Sequence, residues 1–160
     1  MARESVHCIG NSAASPDEVW CAVADFGVGW HPFVAWCEVE VSPRGEVVRR
    51  FGAEGDEAVM IERLTYISHS DRVMSYTLVD GIEGAQRYTA RLKITANGTG
   101  STITWHADVD GASPRAGEIA AGTNAVFDAG IAALNAPIAR VVKRTMPLIC
   151  KTEPSVIEGT

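Results

Sequence analysis

The sequence predicts an α+β fold in which a curved antiparallel sheet closes on one long helix. Six successive segments alternate apolar and polar residues with period two, which is the pattern of half-buried strands. The links between them are short and rich in turn residues, so neighbouring strands should run antiparallel. After the last segment the apolar residues follow a helical period instead. A seventh strand precedes the six, and the predicted strands are 6–11, 37–41, 47–51, 59–67, 73–79, 86–95 and 102–109.

Two short helices are predicted between the first strand and the rest of the sheet. The string SPDE at 15–18 is a capping box with proline at the first helical position, and a short helix should follow through Phe26. Gly27 and Gly29 then interrupt the chain. The next segment, WHPFV at 30–34, should form a compact aromatic turn or the second short helix.

The long helix is predicted from Ser113 to about Met146. Ser113 is a hydroxyl N-cap and Pro114 follows at the first helical position. About 30 residues make a rod of roughly 45 Å, which needs a large apolar partner such as the sheet. Pro137 should kink the rod. The apolar arc of the helix consists of Thr123, Phe127, Ile131, Leu134, Ile138, Val141 and Val142, and the pattern does not separate core residues from the wall of a cavity.

Composition excludes several classes of function. The 160 residues are most simply one domain, 1–160, with net charge −6 and few clustered basic residues, so nucleic acid is a poor partner. The four cysteines and four histidines lack metal-ligand spacing, which predicts reduced thiols, no metal and no cofactor. Without an apolar leader or an 18-residue apolar run, we expect a cytoplasmic protein with no membrane span. A homodimer is left open.

Several short strings give the chain a family resemblance. They are SPDEVW at 15–20, DFG at 25–27 with WHP at 30–32, GEVVRR at 45–50, ERL at 62–64, SY at 75–76, YTA at 88–90 and STITW at 101–105. In this order they resemble the START-like or Bet v 1-like helix-grip superfamily, in particular its polyketide cyclase/dehydrase (SRPBCC) branch. The resemblance implies a deep, largely apolar cavity between the sheet and the long helix, with loops between strands three and six as its gate.

Three residues are candidates for catalysis. The resemblance favours Met60, Glu62, Leu64 and Tyr66 as the inward face of their strand, and a carboxylate held among apolar groups should have a raised pKa. The alternative is that Glu62 pairs with Arg50 or with water. His31 and Glu62 would form a proton-transfer couple, unless the histidine only caps its turn.

Tyr88 must point inward, because Arg87, Thr89, Arg91 and Lys93 occupy the other face of its strand. An inward tyrosine can donate a hydrogen bond to a substrate carbonyl or enolate, and a packed core tyrosine is the alternative. The predicted ligand-binding residues are Trp30, Phe33, Arg50, Met60, Leu64, Tyr76, Trp105, Phe127, Ile131 and Asn135.

Three functions follow from these residues. The leading hypothesis is a cofactor-independent cyclase, dehydratase or isomerase that acts on a hydrophobic secondary-metabolite intermediate by general acid/base catalysis. The alternative is a non-catalytic binder or carrier of a hydrophobic ligand, in which Glu62 and His31 are polar anchors. The third is an interaction module with a filled core, which an inward Glu62 disfavours.

Overall fold

The computed structural model describes residues 1–135. Its helices and strands follow the order that the sequence predicts, with one short helix rather than two between the first and second strands. They are β1 (Ala2–Ser12), α1 (Pro16–Val23), β2 (Trp36–Val41), β3 (Val47–Gly52), β4 (Met60–Ser68), β5 (Val73–Asp80), β6 (Ala85–Asn97), β7 (Gly100–Gly111) and α2 (Arg115–Asn135).

The seven strands form one curved antiparallel sheet in the order β1-β7-β6-β5-β4-β3-β2. Strands β2 to β7 follow one another as a meander, and β1 joins the sheet beside β7. Helix α2 packs on β1 and β7 and touches β6 less. The predicted class, an antiparallel sheet closing on a long helix, is confirmed.

The first helix begins as the capping box requires. Ser15 is the N-cap, its hydroxyl accepts the backbone N–H of Glu18 at 3.2 Å, and Pro16 stands at the first helical position. Segment 30–34 is the turn rather than a second short helix. Within it the N–H of Val34 donates to the carbonyl of His31 at 3.0 Å, and no helical ladder follows. The described residues therefore contain one short helix, not two.

Strand β4 departs from the predicted alternation at a β-bulge. The register against β5 shifts between Leu64 and Tyr66, so Thr65 is an extra residue in the strand. Tyr66 consequently faces outward with 48% of its surface exposed, and Ile67 packs against the core in its place. The prediction that Tyr66 points inward is wrong, because a single inserted residue reverses every later side chain.

Helix α2 begins one residue after the predicted position. The N–H of Ala116 donates to the carbonyl of Ala112 at 2.9 Å, and that of Glu118 to Pro114 at 3.2 Å. The predicted continuation to Met146, with its kink at Pro137, lies outside the described residues. The same holds for the facing of Ile138, Val141 and Val142.

Neither helix in residues 1–135 is long and apolar enough to cross a membrane. Cys8 and Cys37 are free thiols, whereas Cys21 is disulfide-bonded. The expectation of reduced thiols throughout is therefore wrong for Cys21, and Cys150 lies outside the described part of the chain.

Candidate functional site

A cavity of about 530 Å³ lies between the sheet and the N-terminal half of α2. Because α2 covers β1, β7 and part of β6, it leaves the inner faces of β3, β4 and β5 without a helix packed on them. These faces form the far wall of the cavity. They contribute Arg49 and Phe51 from β3, Met60 and Glu62 from β4, and Met74 and Tyr76 from β5.

Three loops also contribute residues to the lining of the cavity. Phe33 in the aromatic turn, Asp56 in the β3–β4 loop and Ile82 in the β5–β6 turn all line it. Phe33 is 53% exposed, which places it at the mouth. Arg115 of α2 donates to the carbonyl of Glu83 at 2.9 Å and thereby ties the β5–β6 turn to the helix. The β3–β4 loop and the β5–β6 turn belong to the segment that the resemblance expects as a gate, whereas the aromatic turn precedes β2 and does not. The action of any of these loops as a gate stays a prediction.

A buried ion pair forms the polar centre of the cavity wall. The Nη2 and Nε atoms of Arg49 lie 2.6 and 2.8 Å from Oε2 of Glu62, and both side chains are largely buried. The guanidinium also stacks over the ring of Phe26, with 3.9 Å from its Cζ to the ring centroid. Tyr76 and Phe51 contact the same guanidinium at 4.9 and 5.3 Å. The cation is therefore held by one carboxylate and three aromatic faces.

The interpretation of Arg50 as a ligand-binding residue that could pair with Glu62 is wrong. Arg49 pairs with Glu62 across β3 and β4, whereas Arg50 is opposite Ile61 and exposed. The strand carries apolar residues on both faces, so alternation alone did not assign its inner side. Phe51, two residues after Arg49, is the large aromatic that marks the inner face.

One carboxylate oxygen of Glu62 is not used by the ion pair. Both contacts with Arg49 go to Oε2, and Oε1 accepts no hydrogen bond from a described residue. Since no fully buried side-chain oxygen or nitrogen in residues 1–135 lacks a partner, Oε1 must retain exposed surface. Burial raises the pKa of the Glu62 carboxyl, and the Arg49 guanidinium opposes that rise. The pair thus presents one carboxylate oxygen to the cavity.

Two phenols lie near this carboxylate. Tyr76 and Tyr88 are buried and both line the cavity. Burial raises the pKa of each hydroxyl, and the charge on Glu62 adds to the rise, so both stay protonated hydrogen-bond donors at neutral pH. The Tyr76 hydroxyl accepts the indole N–H of Trp105 at 3.1 Å, and the Thr123 hydroxyl interacts with that of Tyr88.

His31 joins the aromatic turn to α2. Its Nε2 lies 2.7 Å from the carbonyl of Val126, and its Nδ1 accepts the N–H of Phe33 at 3.0 Å. Nε2 must therefore carry the proton, because a carbonyl only accepts. Burial lowers the pKa of the ring, which keeps it neutral. Both nitrogens are bound to backbone groups, so the geometry favours a structural role over the predicted proton transfer.

Four of the predicted aromatic residues line the cavity together. Trp105 and Phe127 stack in parallel, with ring centroids 4.2 Å apart and an angle of 6° between the planes. Trp30 lies 5.7 Å from the Trp105 ring, and Phe33 lies 5.1 Å from His31. These rings form an apolar part of the cavity wall.

Besides Arg50, three predicted ligand-binding residues do not line the cavity. Leu64 packs against the core at the bulged part of β4. Ile131 is buried against Gly10 of β1, where a Cβ would overlap its Cγ2 atom. Asn135 is exposed. The helical arc runs on beyond the end of the cavity, so the later residues of α2 meet β1 instead.

No group of three or more histidine, cysteine, aspartate or glutamate side chains in residues 1–135 converges to hold an ion.

Comparison with protein families gives one match that spans most of the chain. A family model described as polyketide cyclase/dehydrase and lipid transport matches residues 11–139. No curated protein matches the chain.

Solved structures share the fold over nearly its whole length. A solution structure from Thermobifida fusca is 28% identical, with a TM-score of 0.73 over 86% of this chain and 94% of that one. The Zhui aromatase/cyclase from Streptomyces sp. R1128 is 16% identical, with a TM-score of 0.68 over 89% and 96%. Ara h 8.0201 is also 16% identical, with a TM-score of 0.64 over 83% and 98%. The last two likenesses concern the fold alone.

Proposed function

This chain belongs to the polyketide cyclase/dehydrase and lipid transport family, and we propose that it catalyses a cofactor-independent cyclisation, dehydration or isomerisation of a hydrophobic oxygenated molecule. The family and the fold also confirm the resemblance to the helix-grip superfamily and support a ligand-binding protein. The observation that carries the proposal is the free Oε1 of Glu62, an acceptor in a mainly apolar cavity beside two protonated phenols.

The roles in this reaction follow from what each group can do. Glu62 takes a proton from carbon next to a carbonyl and returns it to oxygen or carbon later in the reaction. Tyr88 and Tyr76 donate hydrogen bonds to the oxygen on which negative charge develops. Arg49 keeps the carboxylate ionised and aligned. His31 holds the aromatic turn against α2 and takes no proton from substrate.

Proton abstraction can be measured without knowing the natural substrate. 2-Tetralone is a neutral bicyclic ketone with acidic protons next to its carbonyl. In D₂O, the protein should accelerate loss of the C1 proton signal above the buffer rate. Glu62→Gln should lower the protein-dependent rate at least about tenfold, since a general base contributes roughly 10²- to 10⁴-fold, while ketone affinity stays within about tenfold.

Matched variants separate lost chemistry from lost folding. Glu62→Gln leaves the Arg49 cation unpaired, which costs about 3–5 kcal/mol when the pair is buried. The double variant Arg49→Met/Glu62→Gln removes both charges and should fold without catalysing exchange. Glu38→Gln makes the same substitution at an exposed strand residue and should exchange like the wild type. Full exchange in either variant that lacks the Glu62 carboxylate would disprove its role as the base.

A carrier of hydrophobic ligands is the second candidate. Both ring nitrogens of His31 are hydrogen-bonded to backbone groups, which leaves Glu62 as the main base at the cavity. The ion pair with Arg49 lowers the basicity of Glu62, and this favours a carrier. A carrier would bind 2-tetralone and release it without any exchange above the buffer rate.

A further inference from the structure

Trp105 is the residue that fixes the direction of the Tyr76 hydroxyl. Its indole N–H can only donate, and it does so to the oxygen of Tyr76 at 3.1 Å. The phenol oxygen has then used its acceptor position, and its own proton must point elsewhere. No described residue accepts that proton, and Tyr76 lines the cavity.

The indole itself has little freedom to rotate. Its ring is stacked on Phe127 at 4.2 Å, and Trp30 lies against it at 5.7 Å. Across the helix face, Gly130 makes room for the same ring, since a Cβ there would lie 2.7 Å from Cζ3 of Trp105. A glycine at that position lets the indole lie against the helix backbone.

We propose that Trp105 is a positioning residue that makes Tyr76 a donor aimed at ligand oxygen, so that the cavity selects ligands with a hydrogen-bond acceptor at that point. The inference rests on the proposed function, because it assumes that the cavity binds an oxygenated ligand. An uncharged ketone fits better than a carboxylate, since a second anion would be repelled by Glu62.

Two probes of similar shape test the selection. 2-Acetylnaphthalene carries the carbonyl, and 2-isopropylnaphthalene replaces it with a methyl group. Both are measured by displacement of the neutral fluorescent dye N-phenyl-1-naphthylamine. The wild type should prefer the ketone about three- to tenfold, which is the range of one net hydrogen bond.

Trp105→Phe keeps an aromatic ring in the stack but removes the indole donor, so the preference for the ketone should fall to about twofold or less. Tyr76→Phe should have the same effect, and the double variant should lose no further selectivity, because both residues act on one hydrogen bond. Trp30→Phe also replaces a cavity indole with a smaller ring, but it does not remove the hydrogen-bond donor to Tyr76. It should change the affinity for both probes by the same factor.

Each outcome decides one claim. A ketone preference that survives in Trp105→Phe overturns the positioning role. Equal affinity of the wild type for both probes overturns the inference while leaving the cavity a binding site. If the wild type binds neither probe nor the dye, the proposed function fails as well. Thermal melting of each variant verifies folding, and Tyr76→Phe tests the same bond if Trp105→Phe unfolds.

Discussion

The two halves of α2 lie on the same sheet but have different neighbours. The N-terminal half, together with the residues just past the midpoint, faces the cavity with Ile119, Thr123 and Phe127. The C-terminal half packs tightly, with Ile131 against Gly10 and Leu134 fully buried. Near the end of the described helix, the hydroxyl of Ser12 donates to the carbonyl of Leu134 at 2.9 Å. One continuous apolar arc therefore serves as cavity wall in one half and as core in the other.

This difference separates binding from stability along a single helix. A side chain in the C-terminal half is surrounded by protein, so its removal leaves a void among packed atoms. A side chain at the cavity already has empty space on one side and loses fewer contacts. Substitutions in the two halves should consequently change different measured quantities.

The largest expected effect is on stability in the packed half. Leu134→Ala should lower the free energy of unfolding by about 2–5 kcal/mol, because the buried side chain is lost and a cavity remains. Ile119→Ala should cost less stability but weaken binding of N-phenyl-1-naphthylamine. Urea unfolding and dye titration of the two variants measure both quantities. If Leu134→Ala weakens binding more than Ile119→Ala, while the protein stays folded, the division of α2 is wrong.

The sequence predicts the fold well because the fold depends on local patterns. Period-two alternation, the SPDE capping box, the turn residues and the helical period identify all seven strands, α1 and the start of α2 to within a few residues. Segment 30–34 is less predictable, because its proline and the preceding glycines are compatible with both a turn and a short helix. The bulge at Thr65 depends on pairing with β5, which a single strand does not encode.

The site is predicted in part, and the errors have physical causes. Glu62, Tyr76 and Tyr88 line the cavity. The inward facing of Glu62 was predicted from the family resemblance, and that of Tyr88 from strand alternation. Arg49 was missed because both faces of β3 carry apolar residues. The location of His31 was correct, but its hydrogen bonds come from the backbone of Val126 and Phe33, and sequence patterns do not show tertiary contacts.

A smaller effect should appear as a pH dependence of stability. Burial lowers the pKa of His31 in the folded state, whereas the unfolded value is about 6.5. Between these two pKa values the unfolded chain binds more protons than the folded chain. The stability that neutral His31 contributes is therefore complete above about pH 6.5 and is lost as the pH falls. Binding of one proton changes the free energy of unfolding by at most about 1.4 kcal/mol per pH unit. The nearby Arg49 charge acts in the same direction, since it also disfavours the imidazolium.

Urea unfolding of wild type and His31→Gln at about pH 5 and about pH 7.5 tests this dependence. The wild type should lose more stability than His31→Gln on acidification, since glutamine does not titrate. His69→Gln is the control, because His69 is exposed and bound to Trp20 rather than to α2. The same loss in wild type and in His31→Gln would assign the acid sensitivity to other groups.

The smallest effect distinguishes two polar residues of α2 that differ in position along the helix. Thr123 is buried beside Tyr88 at the cavity, and Asn135 is exposed beyond it, although the family resemblance assigned the amide to the ligand. Thr123→Val should change the affinity for 2-acetylnaphthalene about two- to tenfold through the hydroxyl next to Tyr88. Asn135→Ala should change it less than about twofold, as exposed substitutions do. A larger effect at Asn135 than at Thr123 would mean that ligand reaches the C-terminal half of α2. The tight packing of Ile131 and Leu134 in that half argues against such binding.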